Sequence, residues 1–218
     1  MLYYQIINER VKERRGGHHS AKSLLYSVDF QEIKDFQDQG DWTEATKVMI
    51  ESAQKLEAGG ADVIVICTNT MHKMAPEVAN SVSIPLLHIA DATAAKIVSD
   101  QIKKVALLGT AFTMEQEFYK GRLKSQFGLE VVVPDEADRA VIHEIIYQEL
   151  CLGIVDEHSK KKYLDIIDRL IQKGAEAVIL GCTEITMLIS QEDCSIPVYD
   201  TTRLHAEAAV DFALGDKA

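Results

Sequence analysis

The 218-residue sequence predicts an α/β protein of two pseudo-symmetric lobes, each a mostly parallel sheet flanked by helices. Three observations carry this prediction. One phrase occurs twice, Gly-Ala-Asp-Val-Ile-Val-Ile-Cys-Thr-Asn at 60–69 and Gly-Ala-Glu-Ala-Val-Ile-Leu-Gly-Cys-Thr at 174–183, which sets Thr68 opposite Cys182 and Asn69 opposite Thr183. A second phrase follows each copy at a similar distance, Ser83-Ile84-Pro85 and Ser195-Ile196-Pro197. Apolar, β-branched runs also alternate with helix-period segments along the chain, the order that builds parallel sheets. Each repeated run breaks into a small polar cluster, as a buried parallel strand does when it delivers polar groups at its carboxyl end.

The elements follow in order. Residues 1–15 have the spacing of an amphipathic helix that stops at Gly16-Gly17, and Ser-Leu-Leu-Tyr-Ser-Val-Asp-Phe at 23–30 reads as a strand. A helix over 42–58 gathers Trp42, Ala45, Val48, Met49, Ala53 and Leu56 on one face and ends at Gly59-Gly60. A strand at 62–67, a helix at 71–80, a strand at 84–89 and a helix at 91–101 complete the first half. The second half reads as strand 105–108, helix 113–126, strand 129–133, helices 136–152 and 158–173, strand 176–181 and a last helix from 201. The repeat divides the chain into a first lobe, 1–92 with 201–218, and a second lobe, 93–200, with a site between them. Phe118-Tyr119 stands in the second half where Tyr3-Tyr4 stands in the first. The counterpart of strand 105–108 and its Gly109-Thr110 turn would precede Met1. The first lobe is therefore expected to lack its opening strand and loop, through an upstream start or a truncation.

Bulk properties exclude several classes. A net charge of −11 does not suit a nucleic-acid surface, which needs clustered Lys and Arg. The short basic run Lys12, Arg14, Arg15 reads as the solvated end of a helix. No run of about eighteen apolar residues could span a membrane, and the amino terminus lacks a signal-peptide pattern, so a cytoplasmic location is expected. Cys67, Cys151, Cys182 and Cys194 have neither Cys-x-x-Cys nor zinc spacing and are expected as free thiols. No metal site is expected. No cofactor is expected either, since a dinucleotide glycine pattern and a P-loop are both missing.

Chemistry concentrates at the strand ends. Cys182, in Leu180-Gly181-Cys182-Thr183-Glu184, sits where a strand turns into a helix start. That placement lowers a thiol from its usual pKa of about 8.5 and makes it a usable base. Its opposite number Thr68 is a poor base in water, able to hydrogen-bond or to surrender a proton if the alkoxide is stabilised. Cys67 lies one residue earlier and is expected to face the packed side of its strand. Asn69-Thr70 and Thr183-Glu184 open helices and offer side-chain donors and free N–H groups suited to a carboxylate, and Gly109-Thr110 with Thr113 makes a third such opening. His72 follows one turn on, either structural or placed to ease carbanion formation.

Cys-Thr-Asn-Thr-Met-His at 67–72 and Leu-Gly-Cys-Thr-Glu at 180–184 resemble the two signature motifs of the aspartate/glutamate racemase family. Gly17-His18-His19-Ser20-Ala21, Ser27-Val28-Asp29-Phe30 and Leu108-Gly109-Thr110…Thr113-Met114 resemble its connecting segments. The resemblance implies cofactor-independent racemisation of an acidic amino acid by two opposed groups across a pseudo-symmetric interface. Most members carry cysteine at the position of Thr68, and the threonine here resembles a subgroup of broad aspartate/glutamate racemases. By the same resemblance Cys182 and Thr68 are catalytic, Asn69, Thr70 and Thr183 bind the α-carboxylate, and Gln37 reaches the substrate. The family's amino-terminal Gly-rich loop has no counterpart. The implied partner is a small acidic amino acid, and a homodimer is compatible with the sequence. Two other readings are an acidic-amino-acid binding protein without turnover and a diacid isomerase or lyase on the same scaffold.

Overall fold

The computed structural model describes residues 2–215, and Met1 and residues 216–218, which the sequence reading included in the terminal helices' lobe, lie outside them. The second lobe is built on strands β3 (Lys104–Gly109), β4 (Glu130–Val132), β5 (Ala177–Gly181) and β6 (Val198–Asp200), all parallel, in the order β4-β3-β5-β6. Both faces of β3 and β5 are covered, which is why their sequences are unbroken apolar runs. Period-two alternation divides their side chains between two cores. Val105, Leu107, Ala177 and Ile179 pack on α5 (Ile89–Ser99) and α7 (Glu117–Phe127) through Ile89, Ala94, Ile97, Tyr119 and Leu123. Ala106, Leu108, Val178 and Leu180 pack on α8 (Glu136–Gln148) and α9 (Glu157–Gln172) through Ile142, Ile146, Tyr163, Ile166 and Leu170.

The first lobe repeats the plan with a smaller sheet. Strands β1 (Ile64–Val65) and β2 (Leu86–Leu87) are parallel and correspond to β5 and β6. Helices α2 (Phe30–Gln39), α3 (Trp42–Ala58) and α4 (Ala75–Asn80) cover one side through Ile33, Ala45, Ala53 and Val78. The other side holds α1 (Leu2–Arg15) and α10 (Thr201–Leu214), with Tyr3, Ile6 and Ala206 against Val65. Both copies of the repeated phrase enter their strands from a left-handed glycine, Gly60 at φ 91° and Gly174 at φ 90°. The same backbone kink at the same place is the symmetry in physical form.

Segment 23–30 is not a strand. Residues 18–29 are irregular, Leu24, Leu25 and Tyr26 are exposed, and α2 begins at Phe30 with Asp29 as its cap. In the order of elements this segment, between α1 and α2, corresponds to β4, between α7 and α8, and β4 pairs with β3 alone. The described residues contain no counterpart of β3 in the first lobe, so the extended sequence has no ladder to join. Other departures are local. The expected helix 71–80 opens as a 3-10 turn, Thr70–Met74. Helix 113–126 is two helices, α6 (Ala111–Glu115) and α7, parted by extended Gln116. Strands 62–67 and 84–89 shorten to two residues each.

Two local contacts shape the second sheet. At the ends of β3 and β5, Gly109 stands opposite Gly181, and a Cβ on Gly181 would lie 2.7 Å from the Leu108 carbonyl oxygen. At the open edge of β6, the Gln191 carboxamide accepts from Val198 N–H at 2.9 Å and donates to the Ile196 carbonyl at 3.1 Å, as a neighbouring strand would.

Behind β2 lies a buried histidine cluster. The Tyr3 hydroxyl donates to His205 Nδ1 at 2.9 Å, and His205 Nε2 donates to the Leu87 carbonyl at 2.9 Å. The ring of His72 lies 4.6 Å from that of His88 and 5.6 Å from that of His205. Burial depresses all three, His88 and His205 to about 4. Asp91 and Arg122, an ion pair beside His88, face the cluster with opposing effects.

Two outcomes are expected. Gly181→Ala should lower stability by about 1–3 kcal/mol, because the strand ends must part, read as a fall in urea midpoint at unchanged slope. On acidification the unfolded chain protonates its histidines near pH 6.5 while the folded cluster does not. Stability should therefore fall progressively between about pH 6.5 and 4, by roughly 3 kcal/mol from His205 alone. Urea melts of His205→Asn against the natural chain over that range check it: the variant's profile should be flatter.

Candidate active site

The carboxyl ends of β1, β3 and β5 meet at one place, where an open parallel sheet presents ligand-binding groups. β5 delivers Cys182 in an extended conformation, followed by the 3-10 turn Thr183–Met187. Its Sγ donates to Glu184 Oε2 at 3.0 Å. Burial raises this thiol well above its ordinary value, and the Glu184 charge and hydrogen bond raise it further. This departs from the lowered pKa expected of a helix start. The turn is a single 3-10 turn with little dipole, and a carboxylate rather than a cation stands beside the sulfur.

β3 delivers Thr110, which caps α6 by accepting from Thr113 N–H at 3.3 Å. The Thr70 hydroxyl reaches across from the first lobe to Thr110 at 2.9 Å and Thr113 at 3.5 Å, and all three threonines are buried. Their hydroxyls form a compact donor cluster joining the lobes. A second crossing runs from Asn69 through Thr201 to β5. Asn69 Nδ2 donates to Thr201 Oγ1 at 3.0 Å, and Thr201 donates onward to the Leu180 carbonyl at 2.9 Å. The single Thr201 proton is thereby committed, so Thr201 can only accept from Asn69 and the amide orientation is fixed. Asn69 Oδ1 is left buried and without a protein partner. Thr183 receives the Thr202 hydroxyl at 3.3 Å, while Thr186 Oγ1 donates to the Thr183 carbonyl at 2.7 Å.

Gln37 lies on α2, buried, with Oε1 accepting from the Tyr147 hydroxyl at 2.8 Å and Nε2 on Met71 Sδ at 3.5 Å. Tyr147 was not legible as a site residue. It stands on α8 above Cys182, and burial first, then the nearby Cys182, raise its phenol. His143, one turn earlier, accepts from Ala111 N–H at 3.1 Å and fixes the start of α6. The ammonium of Lys34 lies 4.9 Å from the Tyr147 ring centre. The only sequence signal was the i, i+4 pair of polar-tipped rings on a helix otherwise rich in isoleucine. Glu184 stood in the motif and in the Thr183-Glu184 helix opening, with no role assigned to it as partner of the thiol. Trp42 meets Phe112 edge-on at 5.0 Å and completes the contact between lobes.

Thr68 is half-buried at the head of the first lobe's loop, its carbonyl held by His72 Nδ1 at 2.7 Å. Cys67 does not face the packed side. It is exposed and its thiol turns back to the Val65 carbonyl at 3.7 Å. β1 ends at Val65, so strand alternation no longer governs residue 67. Among the described residues no three His, Cys, Asp or Glu side chains converge as a metal site, and no helix is long and apolar enough to cross a membrane.

Comparison with known proteins identifies the family and the fold. The family model described as Asp/Glu/Hydantoin racemase matches residues 1–209. The broad specificity amino-acid racemase RacX of Bacillus subtilis is 29% identical over 174 residues, covering 78% of this chain and 73% of its own. A Yersinia pestis protein described as a candidate Asp/Glu racemase has a crystal structure that superposes with a TM-score of 0.91 at 52% identity, over 98% of this chain and 93% of that one. An aspartate racemase homologue from Pyrococcus horikoshii superposes with a TM-score of 0.82 at 33% identity, also over 98% and 93%. With a family match across nearly its whole length, the chain belongs to the Asp/Glu/hydantoin racemase family.

Proposed function

We propose that this protein racemises an acidic amino acid, aspartate or glutamate, by moving the α-proton without a cofactor, at a site between the lobes 1–92 with 201–218 and 93–200. The observation that carries the reading is the thiol–carboxylate pair Cys182–Glu184 at the end of β5, a strand end tied to the 68–70 loop through Thr201. Glu184 takes the thiol proton, and the Cys182 thiolate removes the α-proton as its S–H re-forms. The electron pair left on the α-carbon spreads into the substrate carboxylate. It then takes a proton on the opposite face from the Thr68 hydroxyl, and the proton on Glu184 passes through water to restore Thr68. Preorganised donors stabilise the charge that develops.

In this reading Thr70, Thr110, Thr113 and Thr183 supply hydroxyls to the substrate carboxylates. Asn69 offers an acceptor, Oδ1, which suits the α-ammonium, while Gln37 and Tyr147 close one side of the pocket and bring Lys34 near it. The acidic substrate is supported by the density of donors and by kinship with proteins named for aspartate and glutamate.

Deuterium wash-in at the α-carbon of each enantiomer of aspartate and glutamate tests the proposal. Cys182→Ala should reduce exchange by about 10²–10⁴-fold with the fold intact. Near-natural exchange in that variant would remove Cys182 from the mechanism, and a natural chain that binds these amino acids without exchange would be a binding protein. Glu184→Gln should act in two directions at once. Removing the negative charge lowers the thiol pKa, so in a background where Cys182 is the sole cysteine, alkylation at neutral pH should quicken while α-proton exchange slows.

A further inference from the structure

We infer that His72 is a positioning residue for the Thr68 side of the reaction: its Nδ1–H grips the Thr68 carbonyl and sets the peptide that carries Thr68 and Asn69 into the site. The inference rests on the reading of the 68–70 loop as one wall of a racemase site. The ring has no freedom. His72 is 1% exposed and packed against His88 and His205. Ile89 N–H donates to its Nε2 at 3.1 Å, and a backbone N–H can only donate. Nε2 therefore bears the lone pair and the proton sits on Nδ1, where the Thr68 carbonyl accepts it at 2.7 Å. The imidazole is a neutral strut between the first residue of α5 and the catalytic loop.

The loop needs such a strut. β1 ends at Val65, and residues 66–69 lie outside any strand ladder before the 3-10 turn begins. In the second lobe, Cys182 directly follows β5, whose register with β3 runs to Gly181. The repeat supplies an independent observation. With Thr68 opposite Cys182, His72 falls opposite Thr186, and the Thr186 hydroxyl donates back to the Thr183 carbonyl at 2.7 Å. From equivalent positions, a side-chain donor holds a carbonyl of the site loop in each lobe, that of Thr68 in the first and that of Thr183, the counterpart of Asn69, in the second. The first lobe uses a longer, buried group that is also tied to the next helix.

Two substitutions separate the donor from mere packing. His72→Asn places an amide N–H near the Nδ1 position and keeps the grip on the Thr68 carbonyl. His72→Gln places its amide near the Nε2 position and keeps a partner for Ile89 N–H but releases Thr68. Saturating rate and KM are measured in both directions on aspartate and glutamate, with urea melts of each variant. His72→Gln should lose about 10- to 100-fold in kcat with KM little changed, and His72→Asn should recover most of it at similar stability. Equal losses that track stability, or full activity in both variants, would overturn the assignment. Nitrogen-15 spectra of the natural chain's imidazoles provide a check independent of activity and of variant folding: His72 should be neutral with its proton on Nδ1. A proton on Nε2 would overturn the geometry itself. Correct tautomer with no α-proton exchange in the natural chain would mean that the racemase reading had failed, and the positioning role with it.

Discussion

One buried hydroxyl holds the two halves of the site in register. Thr201 Oγ1 gives its only proton to the Leu180 carbonyl and receives Asn69 Nδ2, so the second lobe's central strand and the first lobe's loop meet on a single oxygen. Thr201 arrives there because it opens α10 directly after β6, with Asp200 capping the helix by accepting from Thr202 and Arg203 N–H. Removing any one member leaves a buried polar group unpaired, at a cost of about 1–3 kcal/mol. The Asn69 amide orientation, the acceptor it leaves over and the distance between the lobes all follow from that arrangement.

The raised thiol of Cys182 changes how its reactivity should be understood. A lowered pKa makes more thiolate but a weaker base, and a raised one does the reverse. In the proposed racemisation the α-proton removed is weakly acidic, so a strong base formed transiently is chemically apt. In that proposal Glu184 supplies the means, since its carboxylate already accepts the thiol's hydrogen bond. In the proposed reaction, the burial that raises the thiol also keeps bulk water from screening the developing carbanion. Burial and carboxylate therefore act together, and the helix-start argument made from the sequence is not needed.

What was legible in the sequence was what local pattern determines. The strands β3 and β5 could be read because both faces are buried and their residues are apolar without interruption. Thr70, Thr110 and Thr113 were legible as polar groups at helix openings that follow strands, and the structure joins their hydroxyls. Segment 23–30 misled, since its strand-like sequence finds no partner strand among the described residues. The break at Gln116 was invisible because no glycine or proline marks it. Tyr147 and His143 escaped for another reason: their importance comes from where α8 crosses α2 and α6, which no local spacing encodes.

The Gln191 carboxamide at β6 has a consequence for assembly. An edge strand with free N–H and C=O groups is a template for a strand from another molecule. Here a side chain with the geometry of a peptide unit already occupies Val198 N–H and the Ile196 carbonyl, and Pro197 between them has no N–H to offer. A fifth strand could add only after displacing two formed hydrogen bonds. Self-association by sheet continuation is thus disfavoured at this edge, and any contact between copies here would have to be made by side-chain surfaces instead of backbone.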